Sequence, residues 1–145
     1  MNLVSFVILH YMDYNTTFQC VESILKNIDY DNYRIVIVDN GSTNESAESL
    51  EKTFANDKRI VILYSNSNLG FSQGNNLGYQ YSKEELAADF IVITNNDTIF
   101  EQKNFVQIMI QECNRTKAYL AGPDLILSNG DHQNPHRDHI LSKNE

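Results

Sequence analysis

Tryptophan is absent, and proline and cysteine are each present only twice. Two prolines and six glycines in 145 residues exclude collagen-like or linker-like material. Cys20 and Cys113 are too few for a disulfide scaffold. Each lies in a segment of helical periodicity, which predicts free thiols. No apolar run approaches the roughly 18 residues that a membrane span needs. The first residues lack the basic start and small-residue cleavage site of a signal peptide. Positive charge is also short: 11 Lys and Arg stand against 19 Asp and Glu, a formal net charge of −8. Nucleic acid is therefore not an expected partner, because binding phosphate backbones needs a basic face. A polybasic grip on anionic lipid is not expected either. The chain reads as cytosolic.

What is present is enough to fold. Hydrophobic residues make up 41% and charged residues 21%, too apolar for a disordered chain and sized for one compact domain. Leu3–Leu9 (LVSFVIL), Arg34–Asp39 (RIVIVD), Arg59–Tyr64 (RIVILY) and Phe90–Thr94 (FIVIT) are short apolar runs rich in branched residues. They predict strands buried on both faces. Between them lie helical patterns. Phe18, Val21, Leu25 and Ile28 share one face, with Thr16 and Gln19 spaced as a capping box. A second helix is expected over about Glu45–Phe54, a third over Gln73–Glu85 after a polar loop from Ser65 to Ser72, and a fourth over Asn104–Glu112. Tyr119–Leu127 is apolar again and predicts one or two further short strands. The fold class is therefore α/β: a mostly parallel sheet with helices on both faces. From Ser128 the composition turns polar and His-rich, so residues 1–127 are expected to form the folded domain and 128–145 a polar tail. His132, His136 and His139 tempt a metal reading, but Pro135 among them breaks a helix, and a solvated tail is favoured.

In an open parallel sheet, ligands bind beyond the carboxyl ends of the strands. The residues there are His10, Tyr11, Met12 and Asp13; Asp39, Asn40, Gly41 and Ser42; Ser65 to Phe71; and Asn95, Asn96 and Asp97. Four segments converge with aromatic, amide and carboxylate groups, the composition of a polar small-molecule site. Tyr11 can stack on a base. Asp39 can accept the imide N–H of uracil or thymine, although it can equally close an Asx turn. Gly70 allows close approach of the backbone to a ligand. A lone Asp97 suits Mg²⁺ or Mn²⁺ held mainly by a diphosphate. Gly74 and Gly78 fit close helix–sheet packing better than ligand contact. The phosphate-loop motif is missing, and the turn after the first strand has no glycine, so the dinucleotide fingerprint fails as well. A receiver-type signalling domain would need an acidic pair after the first strand, where only Asp13 stands.

The blocks VSFVILHYMDYNTTFQCVESI, IVIVDNGSTNES, NLGFSQGNNLGY and FIVITNNDTIF, each following its strand, resemble the donor half of family-2 inverting glycosyltransferases of the GT-A fold. The likeness covers residues 3–127 and is nearest to bacterial rhamnosyl- and galactofuranosyl-transferase-like enzymes of surface polysaccharide synthesis. It implies a UDP- or dTDP-linked sugar as donor, a glycan or lipid-linked glycan as acceptor, and a divalent cation. Tyr11 then lines the base pocket and Asp39 reads the base edge. Asn76 and Gly78 match the N-x-[AG] step on the helix facing the donor. Asn95-Asn96-Asp97 fills the D-x-D-like slot, with Asn96 at the ribose or sugar and Asp97 at the metal. Two positions depart: Met12 stands where the family usually has asparagine or another polar residue, and Leu9 replaces a common threonine. The acceptor-binding half and its catalytic base have no match after Asp97, so no catalytic residue is assigned, and membrane association would fall to that half. A non-catalytic nucleotide-sugar-binding or assembly module is the rival expectation.

Overall fold

A computed structural model describes residues 1–133. Eight elements alternate: β1 (Val4–His10), α1 (Tyr14–Asn27), β2 (Tyr33–Asp39), α2 (Ser46–Phe54), β3 (Ile60–Tyr64), α3 (Gly70–Glu84), β4 (Phe90–Asn95) and α4 (Phe105–Thr116). The strands form one wholly parallel sheet in the order β3-β2-β1-β4. This is the α/β architecture expected from the sequence. The chain divides into two units, Met1–Gln107 and a second from Ile108 onward. No helix among the described residues is long and apolar enough to cross a membrane.

Alternation along β1 sends its side chains to two helical layers. Ser5, Val7 and Leu9 face α3: Ser5 Oγ lies 2.7 Å from Ser82 Oγ, while Val7 and Leu9 meet Gly78 and Gly74. His10, on the other side, reaches Thr17 of α1 and Ser46 of α2. Phe6 shares that side and packs edge-on against Phe100, which in turn meets Phe105 at the start of α4. Burial is complete only in the middle of the sheet. Phe6, Val7 and Ile8 of β1 and Ile35–Val38 of β2 have no exposed surface, whereas Ile93 of β4 is 49% exposed. The apolar runs of β3 and β4 predicted burial on both faces. They are edge strands with one neighbour each, and α3 lies mainly over β1 and β2.

Local boundaries also shift. The N-cap of α1 is Asp13, whose carboxylate accepts the Thr16 N–H (3.1 Å) and hydroxyl (2.6 Å), so Thr16 lies inside the helix and not at its cap. Helix α3 begins at Gly70, three residues before the expected start, because Gly70 takes a φ of +78° that turns the chain directly into the helix. Helix α4 runs on to Thr116, beyond the expected Glu112.

In the second unit, the strands expected over Tyr119–Leu127 do not form. The region holds one isolated bridge, Ile126 to His132, closed by hydrogen bonds from Leu127 N to Asp131 O and from Gln133 N to Leu125 O, both 2.8 Å. An apolar run needs a neighbouring strand to become one, and Tyr119 and Leu120 stand exposed. His132 hydrogen-bonds the Asp124 carboxylate through Nδ1. His136 and His139 lie outside the described residues.

Candidate active site at the strand ends

At the carboxyl ends of β1 and β4, Leu9, Tyr11, Phe71, Asn95, Asn96 and Asp97 enclose a cleft of about 300 Å³. Three segments supply it: the turn after β1, the first turn of α3 and the turn after β4. The rings of Tyr11 and Phe71 are 45% and 63% exposed, so apolar faces stand open to a flat ligand. A larger, more open hollow of about 540 Å³ lies between α1 and α2, lined by Phe18, Leu25, Phe54 and Asp57, and holds none of the rim residues.

The turn after β4 is closed by Thr98 N donating to Asn95 O at 3.3 Å. Cys20 Sγ of α1 donates to the same carbonyl at 3.7 Å. Asn96 Nδ2 donates to Thr17 Oγ1 at 3.1 Å, which fixes the turn to α1. Asp97 is exposed, and among the described residues no hydrogen bond or ion pair engages its carboxylate. Burial pushes the Cys20 thiol up to about 12, and the Asp97 charge adds to the effect. No group of three or more His, Cys, Asp or Glu gathers among the described residues. One free carboxylate beside two amides fits a hard divalent cation that takes most of its oxygens from a bound diphosphate, and does not make a cage of protein groups alone.

The turn after β2 is differently built. Asp39 is 4% exposed, and both its carboxylate oxygens accept from Ser42 N–H, at 3.2 and 3.3 Å. Its carboxylate closes the turn at the strand end. Asn40 is the brace of this rim: Nδ2 donates to Asn68 Oδ1 (3.1 Å) and Gly70 O (3.4 Å), and Oδ1 accepts from Leu69 N (3.0 Å). Gly41, at φ +73°, lets the loops after β2 and β3 touch, since a β-carbon would lie 2.4 Å from the Ser67 carbonyl carbon. Met12 joins the loops after β1 and β2. Its N–H donates to Ser42 Oγ, its carbonyl accepts from Asn44 Nδ2, and its sulfur accepts from Thr43 N–H and hydroxyl.

The structure thus brings Tyr11, Asn96 and Asp97 into one cleft. Asp39, Gly70 and Asn76 are not part of its lining. Gly70 adjoins Phe71 at the head of α3, and Asn76 is exposed on that helix. Its neighbour Asn75 is buried, donates Nδ2 to Phe71 O at 3.0 Å, and leaves Oδ1 without a partner. Reading the sequence missed the parts played by Asn40 and His10. His10 is fully buried, with Nδ1 2.7 Å from Thr17 Oγ1 and Nε2 2.9 Å from Ser46 Oγ. Burial lowers its pKa, against the charges of Asp39 and Asp13. Only its place at the end of an apolar strand marked it in the sequence.

Known proteins resemble this chain in sequence and in fold. The chain is 30% identical over 127 residues to glycosyltransferase GlyG of Streptococcus pneumoniae serotype 4, covering 88% of this chain and 38% of that protein. It is 32% identical over 111 residues to an uncharacterised glycosyltransferase of Rickettsia bellii, covering 77% of this chain and 15% of the other. The chain therefore spans less than two-fifths of either relative. Among solved structures, Staphylococcus aureus TarS 1–349 in complex with UDP-GlcNAc aligns with a TM-score of 0.66 at 15% identity, over 90% of this chain and 42% of that one. Mannosyltransferase PcManGT from Pyrobaculum calidifontis, in complex with GDP-Man and Mn²⁺, aligns with a TM-score of 0.67 at 14% identity, over 76% and 32%. These structures share the fold, which is of the GT-A type. The family-wide pattern of Glycosyl transferase family 2 matches residues 5–144, and the chain belongs to that family.

Proposed function

We propose that this chain is the donor-binding part of an inverting glycosyltransferase that builds surface polysaccharide at the cytoplasmic side of the membrane. Its donor is a nucleotide-diphosphate sugar, UDP- or dTDP-linked, and its acceptor a glycan or lipid-linked glycan. Residues 1–127 form the donor half. The observation that carries the reading is the cleft itself: open aromatic rings, two amides and one uncommitted carboxylate meet at the ends of parallel strands, where such folds bind ligands.

In this reading Tyr11 stacks on the base, and Asp39 accepts the imide N–H from beneath the rim while holding its own turn. Gly70 and Asn76 line the approach along α3. Asn96 meets the ribose or sugar, and Asp97 holds Mg²⁺ or Mn²⁺. Such a cation neutralises the diphosphate and stabilises charge on the departing nucleotide. The base that deprotonates the acceptor hydroxyl for in-line attack is assigned outside these residues.

Calorimetry with UDP, dTDP and GDP, with and without Mn²⁺, tests the proposal. Asp97→Ala is expected to abolish the Mn²⁺-dependent part of the affinity, and an unchanged affinity refutes the metal role. Binding without turnover, when a bound donor is offered a mixed glycan library, would favour a non-catalytic binding module.

A further inference from the structure

The turn carrying Asn96 and Asp97 is joined to the loops after β1 and β2 by one continuous line of hydrogen bonds. The chemistry of each group sets its direction. Asn44 Oδ1 is a carbonyl oxygen and only accepts, so the Ser46 hydroxyl donates to it, at 2.5 Å. That hydroxyl has a single proton, so His10 Nε2 is the donor across the 2.9 Å to Ser46 Oγ. In a neutral ring Nδ1 then carries the lone pair and accepts the Thr17 hydroxyl at 2.7 Å. The same hydroxyl has a second acceptor within reach, Asp13 O at 3.1 Å, but the shorter contact takes its one proton. Thr17 Oγ1 is left to accept Asn96 Nδ2–H at 3.1 Å. At the other end, Asn44 Nδ2 donates to Met12 O at 2.8 Å. Every link runs the same way, from Asn96 to Met12, and chains of this kind strengthen each other in a low dielectric. Thr17 and His10 are fully buried and Ser46 nearly so.

We propose that His10 is a positioning residue, which through Thr17 holds the Asn96–Asp97 turn and through Ser46 and Asn44 holds the Met12 loop, setting the spacing of the two rims. The ligand served by that spacing rests on the donor-binding reading above; the positioning does not.

The test uses the full chain. Long-range ¹H–¹⁵N spectra at pH 7.5 are expected to show His10 as the Nε2–H tautomer; the Nδ1–H tautomer overturns the proposal without any variant. Thr17→Val removes the link to Asn96 at nearly constant volume. It is expected to shift the Asn96 side-chain amide and to speed backbone amide exchange at 96–98 roughly tenfold, the size of one net hydrogen bond, while leaving β3 unchanged. His10→Asn keeps an acceptor near the place of Nδ1 and is expected to retain the Asn96 signal. His10→Gln reaches towards Ser46 instead and loses it. A Thr17→Val chain with Asn96 shifts and exchange as in the wild type overturns the proposal. Calorimetry with UDP and GDP, with and without Mn²⁺, separates the two readings. If the wild type binds neither diphosphate, the donor-binding reading fails and the spectra still decide the role of His10. If the wild type binds, Thr17→Val and His10→Gln are expected to lose about tenfold in the Mn²⁺-dependent part. Wild-type affinity in both variants would show that the network does not space the cleft.

Discussion

Gly78 of α3 sits directly on Val7 of β1: a β-carbon there would lie 2.3 Å from Val7 Cγ1 and 2.9 Å from Val38 Cγ2. Both valines are fully buried and branched, so neither can turn away. Gly78→Ala is expected to destabilise the chain by about 1–3 kcal/mol, more than the roughly 1 kcal/mol of helix propensity that alanine contributes. At Gly74, by contrast, the β-carbon meets Leu9 Cδ1 at 2.5 Å, the end of a flexible side chain that lines the cleft. Gly74→Ala is expected to cost less in melting temperature and more in nucleotide affinity. Thermal melts and calorimetry on the pair check the ordering.

The two roles given to Asp39 come apart on substitution. Asparagine still accepts the Ser42 N–H and keeps the turn, while alanine loses it. Asp39→Asn is expected to melt close to the wild type and to bind UDP about tenfold more weakly, because a charged acceptor has become neutral. Asp39→Ala is expected to lose stability as well. Equal UDP affinity in wild type and Asp39→Asn would confine this residue to the turn.

His10 makes stability depend on pH. Burial holds its pKa below the ordinary 6.5, while the Asp39 and Asp13 carboxylates that face it pull the other way, and its hydroxyl partners Thr17 and Ser46 carry no charge. The unfolded chain therefore takes up the proton first as pH falls. The native state is at full strength above about pH 6.5 and weakens below it by up to about 1.4 kcal/mol per pH unit, until the folded ring also protonates. Chemical denaturation from pH 8 to pH 5 is expected to show this slope in the wild type and to lose it in His10→Asn.

Met12 has a φ of +64°, a region that suits asparagine and glycine and strains most side chains. Met12→Asn is expected to keep or raise the melting temperature despite losing the contacts of the sulfur with Thr43. Met12→Val, branched at Cβ, is expected to destabilise the chain by about 1–2 kcal/mol.

Cys20 is fully buried, with its thiol pushed up to about 12, whereas Cys113 is half-buried. The native chain is expected to react with a neutral alkylating reagent at Cys113 well before Cys20, with both thiols titrating in denaturant. Peptide mapping after brief labelling checks the order.

The amino-acid sequence by itself determined the kinds of elements and their order, the parallel sheet, and which short segments lie at its ligand-binding ends. These are local matters: a run such as RIVIVD is a strand by composition, and Asn95-Asn96-Asp97 ends one by position. It also marked Tyr11, Asn96 and Asp97, which the fold brings into one cleft. Tertiary structure alone decided what depends on neighbours distant in the chain. β1 and β4 have equally apolar sequences, yet one is sealed and the other open, because burial follows the place of a strand in the sheet. Asn75 and Asn76 are adjacent amides, and the rotation of about 100° per helical residue buries one and exposes the other, a phase set by where Gly74 and Gly78 meet the sheet. The line of hydrogen bonds through His10 joins residues from α1, α2 and three loops. All but Met12, which joins through its backbone carbonyl, are ordinary polar residues in sequence, and only folding places each within 3.1 Å of the next.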